Sequence, residues 1–214
     1  DMHFVGHFAH LSSIRGGIPV CWPWFGPRKG EPSHGVARTS EWRLHHQETD
    51  KRGNALLSLA FYPEDEPSPA AILRLALGRT LAMKLETTAR MQPCKLTEAF
   101  HNYFAVGNLT KCRVHGLDDV PFREEAAQPM KHGERPLAPL GCLDRVYDCP
   151  ACSGKIVLED FVLNRAITVE RDHASSVIIW NPGQQGAGNM ADLGAESWNK
   201  FLCVEMGNAD SRCI

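Results

Sequence analysis

Apolar and polar residues alternate along much of the chain with a period of two. In Thr80–Glu86, for example, Leu81, Met83 and Leu85 occupy every second position. This alternation predicts strands that are buried on one face. Nine segments show it or form short apolar runs between turn residues. They are Leu56–Tyr62, Ile72–Leu77, Thr80–Glu86, Phe100–Val106, Thr110–His115, Lys155–Leu163, Ala166–Arg171, Val177–Trp180 and Phe201–Met206.

Helical periodicity is nearly absent, since only Ala195–Asn199 looks like a short helical turn. Clusters of Gly, Pro, Asn and Asp separate the predicted strands. Many short strands with such turns indicate an all-β sandwich or barrel-like domain. No break in composition divides residues 1–214, so we expect a single domain. The polar stretch Arg123–Leu140 predicts a long surface loop.

The overall charge and the cysteines narrow the class of protein. The 214 residues carry 23 basic and 25 acidic side chains, a formal net charge of −2. A near-neutral chain has no global attraction to nucleic acid or to an anionic membrane, and no apolar run is long enough for a transmembrane helix. No signal peptide is visible. Because Cys112 and Cys203, two of the eight cysteines, lie in apolar strand-like runs, we expect a reducing, cytoplasmic location.

The segment Ile14–Gly26 is rich in glycine, proline and large aromatic residues. Its paired glycines allow close approach of a ligand, and the faces of Trp22 and Trp24 suit the apolar side of a sugar. A buried aromatic plug beneath a loop would have the same composition. Arg15 and Arg38 flank glycine-rich turns, and two guanidinium groups suit a phosphate. Two unrelated surface arginines are the alternative.

Two remote residues, His101 and Glu205, are candidates for proton transfer. On a strand, His101 shares a face with Tyr103 among aromatic neighbours. Glu205 ends an apolar run with no adjacent basic residue, which favours a raised carboxyl pKa suited to acid–base chemistry. A core or rim histidine and a solvent-facing glutamate are the plainer interpretations. Asp144 is a further candidate, or else a turn or ion-pair residue.

Taken together, these segments resemble one family, the hexose-6-phosphate mutarotases of the aldose 1-epimerase superfamily. The resemblance runs from about Ile14 to Met206. The matching strings are Ile14–Gly26, His34–Arg38, Phe100–Phe104, Asp144–Tyr147, Val177–Gly183, Met190–Asp192 and Cys203–Glu205.

This resemblance implies a large antiparallel β-sandwich of galactose-mutarotase type and a cofactor-free exchange of the α and β anomers of a hexose 6-phosphate. His101 resembles the general acid that protonates the ring oxygen. Glu205 resembles the general base that takes the proton from the anomeric hydroxyl. We expect the two side chains to face one cleft, with room for a pyranose between them.

The resemblance also implies the binding residues. His34 and Asp144 resemble groups that hold sugar hydroxyls, while Arg15 and Arg38 resemble a phosphate clamp. Trp22 and Trp24 would wall or support the site. A third set of residues would add positive potential near the phosphate: Arg28 and Lys29. The implied partner is a small hexose 6-phosphate bound by a monomer.

The length of the chain departs from the family pattern. Thirteen residues precede Ile14 and eight follow Met206. Family members carry more strands at both ends, so we expect a sandwich that lacks terminal strands, with open sheet edges.

Three other interpretations remain open. One is a metal-dependent, cupin-like sugar-phosphate isomerase that uses some of the ten histidines as ligands. Another is a non-catalytic carbohydrate-binding protein with the same fold. The third is a structural zinc module at Cys149–Cys152, which lacks a second Cys-x₂-Cys pair.

Overall fold

A computed structural model of the chain describes residues 14–64, 68–124, 131–149 and 153–213, with side chains as far as residue 209. Strands dominate this part of the chain. They are β1 (Val20–Cys21), β2 (Arg43–Thr49), β3 (Ala55–Phe61), β4 (Ala70–Leu77), β5 (Leu81–Thr88), β6 (Lys95–Phe100), β7 (Tyr103–Ala105), β8 (Cys112–His115), β9 (Pro121–Arg123), β10 (Lys131–His132), β11 (Leu143–Asp148), β12 (Gly154–Asp160), β13 (Arg165–Arg171), β14 (Ser176–Asn181) and β15 (Phe201–Cys213). One α-helix, α1 (Gly183–Gly188), and three 3₁₀ turns, at Ala37–Thr39, Leu109–Lys111 and Trp198–Lys200, connect them.

The strands form three antiparallel sheets. The largest has the order β1-β6-β15-β14-β11-β9-β10, with β7 paired to one end of β15. A second sheet has the order β13-β12-β8, and a third is the meander β2-β3-β4-β5. Because β15 and β14 lie at the centre of the largest sheet, residues on these strands are held from both sides.

The largest sheet has two faces with different neighbours. Ile179 and Val204 point into a core shared with Leu158 of the three-stranded sheet, which makes this pair of sheets a β-sandwich. Side chains alternate along a strand, so Cys203 and Glu205 point to the opposite face. That opposite face is where the candidate active site lies.

A separate core lies beneath the meander. Trp22, Phe61, Ala71 and Leu73 are buried together there. The edge strand β2 is exposed along its whole length, and it carries polar residues on both faces. Such polarity is a common protection of an exposed sheet edge.

The all-β fold predicted from the alternation is confirmed, and a strand lies in each of the nine predicted segments. Two segments end earlier than the pattern suggests. Phe100–Val106 is interrupted at His101 and Asn102, where Asn102 N–H donates to the Phe100 carbonyl across a tight turn. The segment from Lys155 stops at Asp160, whose carboxylate accepts the N–H groups of the next turn.

The alternation of apolar and polar residues did not predict every strand. Strand β2 has no apolar alternation, and β11 mixes charged with apolar positions, so neither stood out. Ala195–Asn199 was predicted as a helical turn, but the 3₁₀ turn is displaced to Trp198–Lys200. The predicted loop Arg123–Leu140 contains β10 and a buried Leu137 that bridges to Val114. Among the described residues, no helix combines the length and the apolar character needed to cross a bilayer.

Candidate active site

His101 lies in the short connection between β6 and β7. The backbone there is hydrogen-bonded to the glycine-rich segment near the start of the described chain. Its N–H donates to the Pro19 carbonyl at 3.0 Å, and Tyr103 N–H donates to the Gly17 carbonyl at 2.9 Å. The ring of Tyr103 stacks on the imidazole, with centroids 4.7 Å apart and planes inclined by 13°. These contacts fix both the position and the plane of the His101 ring.

Asn102 ties this connection to β15. Its side-chain amide donates to the Val204 carbonyl at 3.0 Å, while Val204 N–H donates to the Asn102 carbonyl at 3.2 Å. His101 precedes Asn102 and Glu205 follows Val204 in sequence. The reciprocal pair of hydrogen bonds therefore sets the spacing between the two predicted catalytic residues.

His101 and Glu205 meet directly. Nδ1 of His101 lies 3.3 Å from Oε1 of Glu205, and the side chains are 9% and 2% exposed. Neither Nδ1 of His101 nor Oε2 of Glu205 makes a hydrogen bond to any other described residue. Buried polar atoms without hydrogen bonds cost folding free energy. A ligand or a proton that forms hydrogen bonds with these atoms would therefore stabilise the pair.

The separation corrects one expectation, since a contact of 3.3 Å leaves no room for a pyranose ring between the two groups. The chemistry of a hemiacetal explains why no such gap is needed. The ring oxygen and the anomeric hydroxyl oxygen are bonded to the same carbon, so the two proton transfers occur at neighbouring atoms. A sugar would approach one edge of the pair.

Burial shifts the pKa values of the pair in opposite directions. Desolvation raises the pKa of Glu205 well above its usual range, and the negative charge of Asp144 adds to this. Desolvation lowers the pKa of His101 well below its usual range, with further contributions from His34, Arg38 and Arg15. Each residue is thereby favoured in its uncharged form, and the pair together holds one proton over a wide pH range.

His34 lies beside the pair on a tight loop. Its backbone has a φ of 64°, a left-handed conformation that is uncommon outside glycine. The ring packs edge-on against Phe25 at 5.0 Å and His101 at 5.8 Å. Burial, with Arg38 and Arg15, lowers the pKa of His34 to about 4, so the ring is neutral near pH 7.

A backbone contact decides the tautomer of His34. Gly26 N–H donates to His34 Nδ1 at 3.2 Å, so the proton of the neutral ring belongs on Nε2. Gly35, the next residue, allows the loop to close, because a Cβ there would lie 2.0 Å from the Trp22 carbonyl oxygen. His34 therefore offers one N–H donor from a fixed ring.

The two predicted phosphate-binding arginines both lie near this pair. Arg15 donates from Nε to Asp192 at 2.8 Å and from Nη1 to the Tyr103 hydroxyl at 3.5 Å. Arg38 donates from Nη2 to the Ser33 carbonyl at 2.6 Å, and its buried Nε has no hydrogen-bond partner among the described residues. Both positive charges lower the pKa of the His101 imidazole.

Asp144 lies on β11, opposite Trp180 of β14, which in turn lies opposite Cys203 of β15. This row places Asp144 on the same face of the sheet as Glu205, two strands away. The side chain remains accessible to water, yet desolvation raises the pKa of its carboxyl. The structure thus brings both carboxylates to one region.

The structure places both tryptophans of the glycine-rich segment in the interior, which is the supporting role among the two alternatives. Trp22 is completely buried in the core beneath the meander, and its indole N–H donates to Thr87 at 2.9 Å. It presents no surface to a sugar, so it supports the loop from below. Trp24 is also buried, with its indole N–H bound to the Pro32 carbonyl and the guanidinium of Arg28 over its ring at 4.3 Å. Lys29 is exposed in the same loop.

The sequence did not single out three other residues that shape the site. Trp180 is half-buried and packs edge-on against His101 at 5.6 Å, so it is an aromatic wall that Trp22 is not. Tyr103 and Asp192 orient Arg15 and the imidazole. The only signal available was their place inside the motif strings that carry the family resemblance.

A group of possible metal ligands lies in the same place. The donor atoms of His101, Cys203 and Glu205 lie within 4.8 Å of one another. A metal centre needs the thiolate and the carboxylate, but burial raises the pKa of both Cys203 and Glu205. Without a metal ion, the thiol and the carboxyl of this donor set are therefore favoured in their protonated forms. In the proposed zinc module, Cys149 is buried and Cys152 lies outside the described residues.

A concave region lies on the meander, with a volume of about 290 Å³ and an apolar lining that includes Leu57, Leu75 and Met83. It also carries His46 and Glu48, which lie 3.6 Å apart but are each 56% exposed. None of the predicted site residues lines it. The chemistry is therefore concentrated around His101 and Glu205.

Comparisons with known proteins identify the family of the chain. The family described as aldose 1-epimerase matches residues 3–214. A protein of Escherichia coli (strain K12) named "Putative glucose-6-phosphate 1-epimerase" is 35% identical over 217 residues, which cover 94% of this chain and 70% of that protein. The Salmonella typhimurium protein of the same name is 34% identical, with 90% and 67% covered.

A solved structure supports the same assignment. The crystal structure of a "putative mutarotase" from Salmonella typhimurium superimposes with a TM-score of 0.88 at 29% identity, covering 99% of this chain and 74% of that one. The family resemblance drawn from the sequence is thereby confirmed. The chain belongs to the aldose 1-epimerase family, enzymes that interconvert the anomers of sugars.

Proposed function

We propose that the protein interconverts the α and β anomers of a hexose 6-phosphate, with glucose 6-phosphate as the preferred substrate. One observation carries this proposal: a buried His101–Glu205 contact of 3.3 Å lies within the field of two arginines, Arg15 and Arg38. The first feature suits proton transfer at a hemiacetal. The second suits a dianionic phosphate on the same molecule.

The reaction begins with proton removal from the anomeric hydroxyl by the carboxylate of Glu205. The bond between C1 and the ring oxygen breaks, and its electron pair goes to the ring oxygen, which takes a proton from His101. The open aldehyde rotates about the C1–C2 bond. The ring closes on the other face when the hydroxyl returns its proton to His101 and Glu205 protonates the new anomeric oxygen.

The proton inventory of the buried pair fits this cycle. The reaction needs one proton on the pair, either as imidazolium with carboxylate or as imidazole with carboxylic acid. Opposite pKa shifts of Glu205 and His101 keep that count at one over a broad pH range. Moving the proton between the two groups prepares the pair for either direction of the reaction.

The binding groups surround this pair. His34 offers a neutral N–H and Asp144 an accessible carboxylate, and both suit sugar hydroxyls. Arg38 adds a guanidinium whose positive charge suits a phosphate, and its buried Nε has no hydrogen-bond partner among the described residues.

The test is the rate of anomer exchange of glucose 6-phosphate at equilibrium, measured by magnetisation-transfer NMR. We expect saturable acceleration by the protein in the presence of a chelator. Binding of glucose 6-phosphate without acceleration would instead favour a non-catalytic carbohydrate-binding protein. Loss of acceleration on chelation would favour a metal-dependent isomerase.

Arg38→Ala tests the phosphate part of the proposal. Loss of a charged hydrogen-bond donor is expected to weaken glucose 6-phosphate about tenfold or more, while exchange of free glucose changes little. Arg43→Ala on the exposed edge strand β2 is the matched control, since it removes the same charge from a residue that is not among those acting on His101. Equal losses for the two sugars would contradict a phosphate-binding role for Arg38.

A further inference from the structure

Tyr103 makes two contacts that join different parts of the site. It is 3% exposed, and its ring stacks on the imidazole of His101. Its hydroxyl accepts a hydrogen bond from Nη1 of Arg15 at 3.5 Å. Tyr103 therefore touches both a predicted phosphate ligand and a predicted proton donor.

The neighbouring backbone reinforces this connection. Tyr103 N–H donates to the Gly17 carbonyl, and His101 N–H donates to the Pro19 carbonyl. Arg15 comes two residues before Gly17, so the chain that carries the guanidinium is paired directly with the chain that carries the imidazole. A displacement of Arg15 would be transmitted to His101 through covalent and hydrogen-bonded links.

Arg15 is also held from its other end. Nε donates to Asp192 at 2.8 Å, which leaves the two Nη groups as the part of the fork that can respond to a phosphate. One of these, Nη1, faces the Tyr103 hydroxyl across a long hydrogen bond. A hydrogen bond of 3.5 Å is weak, so a movement of the guanidinium toward an anion would change it.

The choice of tyrosine is informative. Phenylalanine would provide the same stacking surface to His101 and would avoid burying a hydroxyl. A buried hydroxyl costs free energy unless it is hydrogen-bonded. The hydroxyl of Tyr103 accepts a hydrogen bond from Arg15. Stacking on His101 does not require this contact, so the hydroxyl has a separate role beside the guanidinium.

We propose that Tyr103 is a positioning residue that couples occupancy of Arg15 by the 6-phosphate to the orientation of the His101 imidazole. The inference rests on the proposed hexose 6-phosphate activity. It makes the phosphate a contributor to the rate of ring opening as well as to affinity. This is the general way in which a remote, non-reacting group of a substrate assists catalysis.

The coupling can be measured by supplying the phosphate separately. Exchange of free glucose by the unmodified protein is followed by NMR with and without inorganic phosphate. We expect phosphate to accelerate this exchange several-fold in a saturable way. The absence of any acceleration would overturn the coupling, because an occupied Arg15 would then have no effect on His101.

Tyr103→Phe separates the two contacts, since it keeps the ring on His101 and removes the hydroxyl from Arg15. We expect kcat for glucose 6-phosphate to fall about tenfold, the effect of one hydrogen bond to a charged group, with a smaller loss for free glucose and with activation by phosphate lost. Tyr103→Leu, which also removes the stacking ring, should slow both sugars. Tyr62→Phe, at an exposed tyrosine, is the control.

The outcomes distinguish this inference from the proposed function. If the unmodified protein does not accelerate exchange of glucose 6-phosphate, the proposed function fails. If it does, and Tyr103→Phe retains both the full kcat and activation by phosphate, only the coupling fails. Equal losses of kcat on phosphorylated and free sugar would likewise overturn it, because a purely structural defect would affect both. Thermal melting of each variant confirms that it is folded.

Discussion

Among the described residues, three His–Glu pairs lie within 4 Å, and two of them have very different surroundings. His101 and Glu205 lie 3.3 Å apart with side chains 9% and 2% exposed. His115 and Glu159 lie 2.7 Å apart on β8 and β12, with side chains 42% and 40% exposed. By distance alone, the second pair is the better ion pair.

The comparison shows that distance does not identify the reactive pair. Water solvates the His115–Glu159 pair, and an exposed ion pair is stabilised only slightly by its own contact. The His101–Glu205 pair is desolvated, flanked by Arg15 and Arg38, and incompletely hydrogen-bonded. The buried pair therefore has polar atoms that can form hydrogen bonds with a substrate and two groups that can exchange a proton.

The most severe test of this contrast is the matched change of each glutamate to glutamine. Glu205→Gln keeps the size of the side chain and removes its ability to take a proton. We expect anomer exchange to fall about 10²- to 10⁴-fold, the usual contribution of a positioned acid or base. The measurement is magnetisation-transfer NMR on glucose 6-phosphate, with substrate binding followed separately.

Glu159→Gln is the control, because it alters the same residue type in the exposed pair. It should leave exchange unchanged. Comparable losses for the two variants would mean that burial does not distinguish the pairs. Full activity in Glu205→Gln would remove Glu205 from the reaction altogether.

Asn102→Ala tests how precisely the buried pair must be held. The change leaves the Val204 carbonyl without its side-chain donor and loosens the link between His101 and Glu205. We expect the free energy of unfolding to fall by about 1–3 kcal/mol and the exchange rate to fall about tenfold, since small misplacements of catalytic groups are costly. Denaturant melts and exchange rates measure the two effects.

Asn108→Ala provides the comparison near the exposed pair. Asn108 caps the turn that precedes β8, by accepting the N–H of Thr110. Its loss should reduce stability by about 0.5–2 kcal/mol without slowing exchange. If both variants slow exchange in proportion to their loss of stability, Asn102 has no specific role in positioning the pair.

Most of the strands could be predicted from the sequence, because period-two alternation is a direct consequence of strands with one buried face. It failed where that cause was absent: β2 is polar on both faces, and His101–Asn102 interrupts a run that reads as one strand. The candidate pair itself was predicted, but its contact distance was not. Residues 101 and 205 meet through the pairing of β7 with β15, and no local pattern encodes that register.

The predicted tryptophans show a different limit. A sequence rich in aromatic residues indicates either a sugar platform or a core, and only burial separates the two. Trp22 belongs to the core, whereas Trp180, on the central strand β14, lies against His101. Alternation along β14 shows which neighbours share a face with Trp180. It does not show whether that face packs against another sheet or forms the site.

The smallest expected effect is a shift of pH dependence caused by Asp144→Asn. The pair is active when it holds one proton, so the rate falls at low pH as His101 is protonated and at high pH as Glu205 loses its proton. The charge of Asp144 raises the pKa of Glu205, whereas His34, Arg38 and Arg15 act on His101. Removing the Asp144 charge makes the Glu205 carboxylate easier to form, so the alkaline limb should move to lower pH while the acidic limb stays in place. Asp148→Asn, farther along β11, is the control and should move neither limb. A shift of the alkaline limb to higher pH in Asp144→Asn would show that Asp144 does not act on Glu205 through its charge.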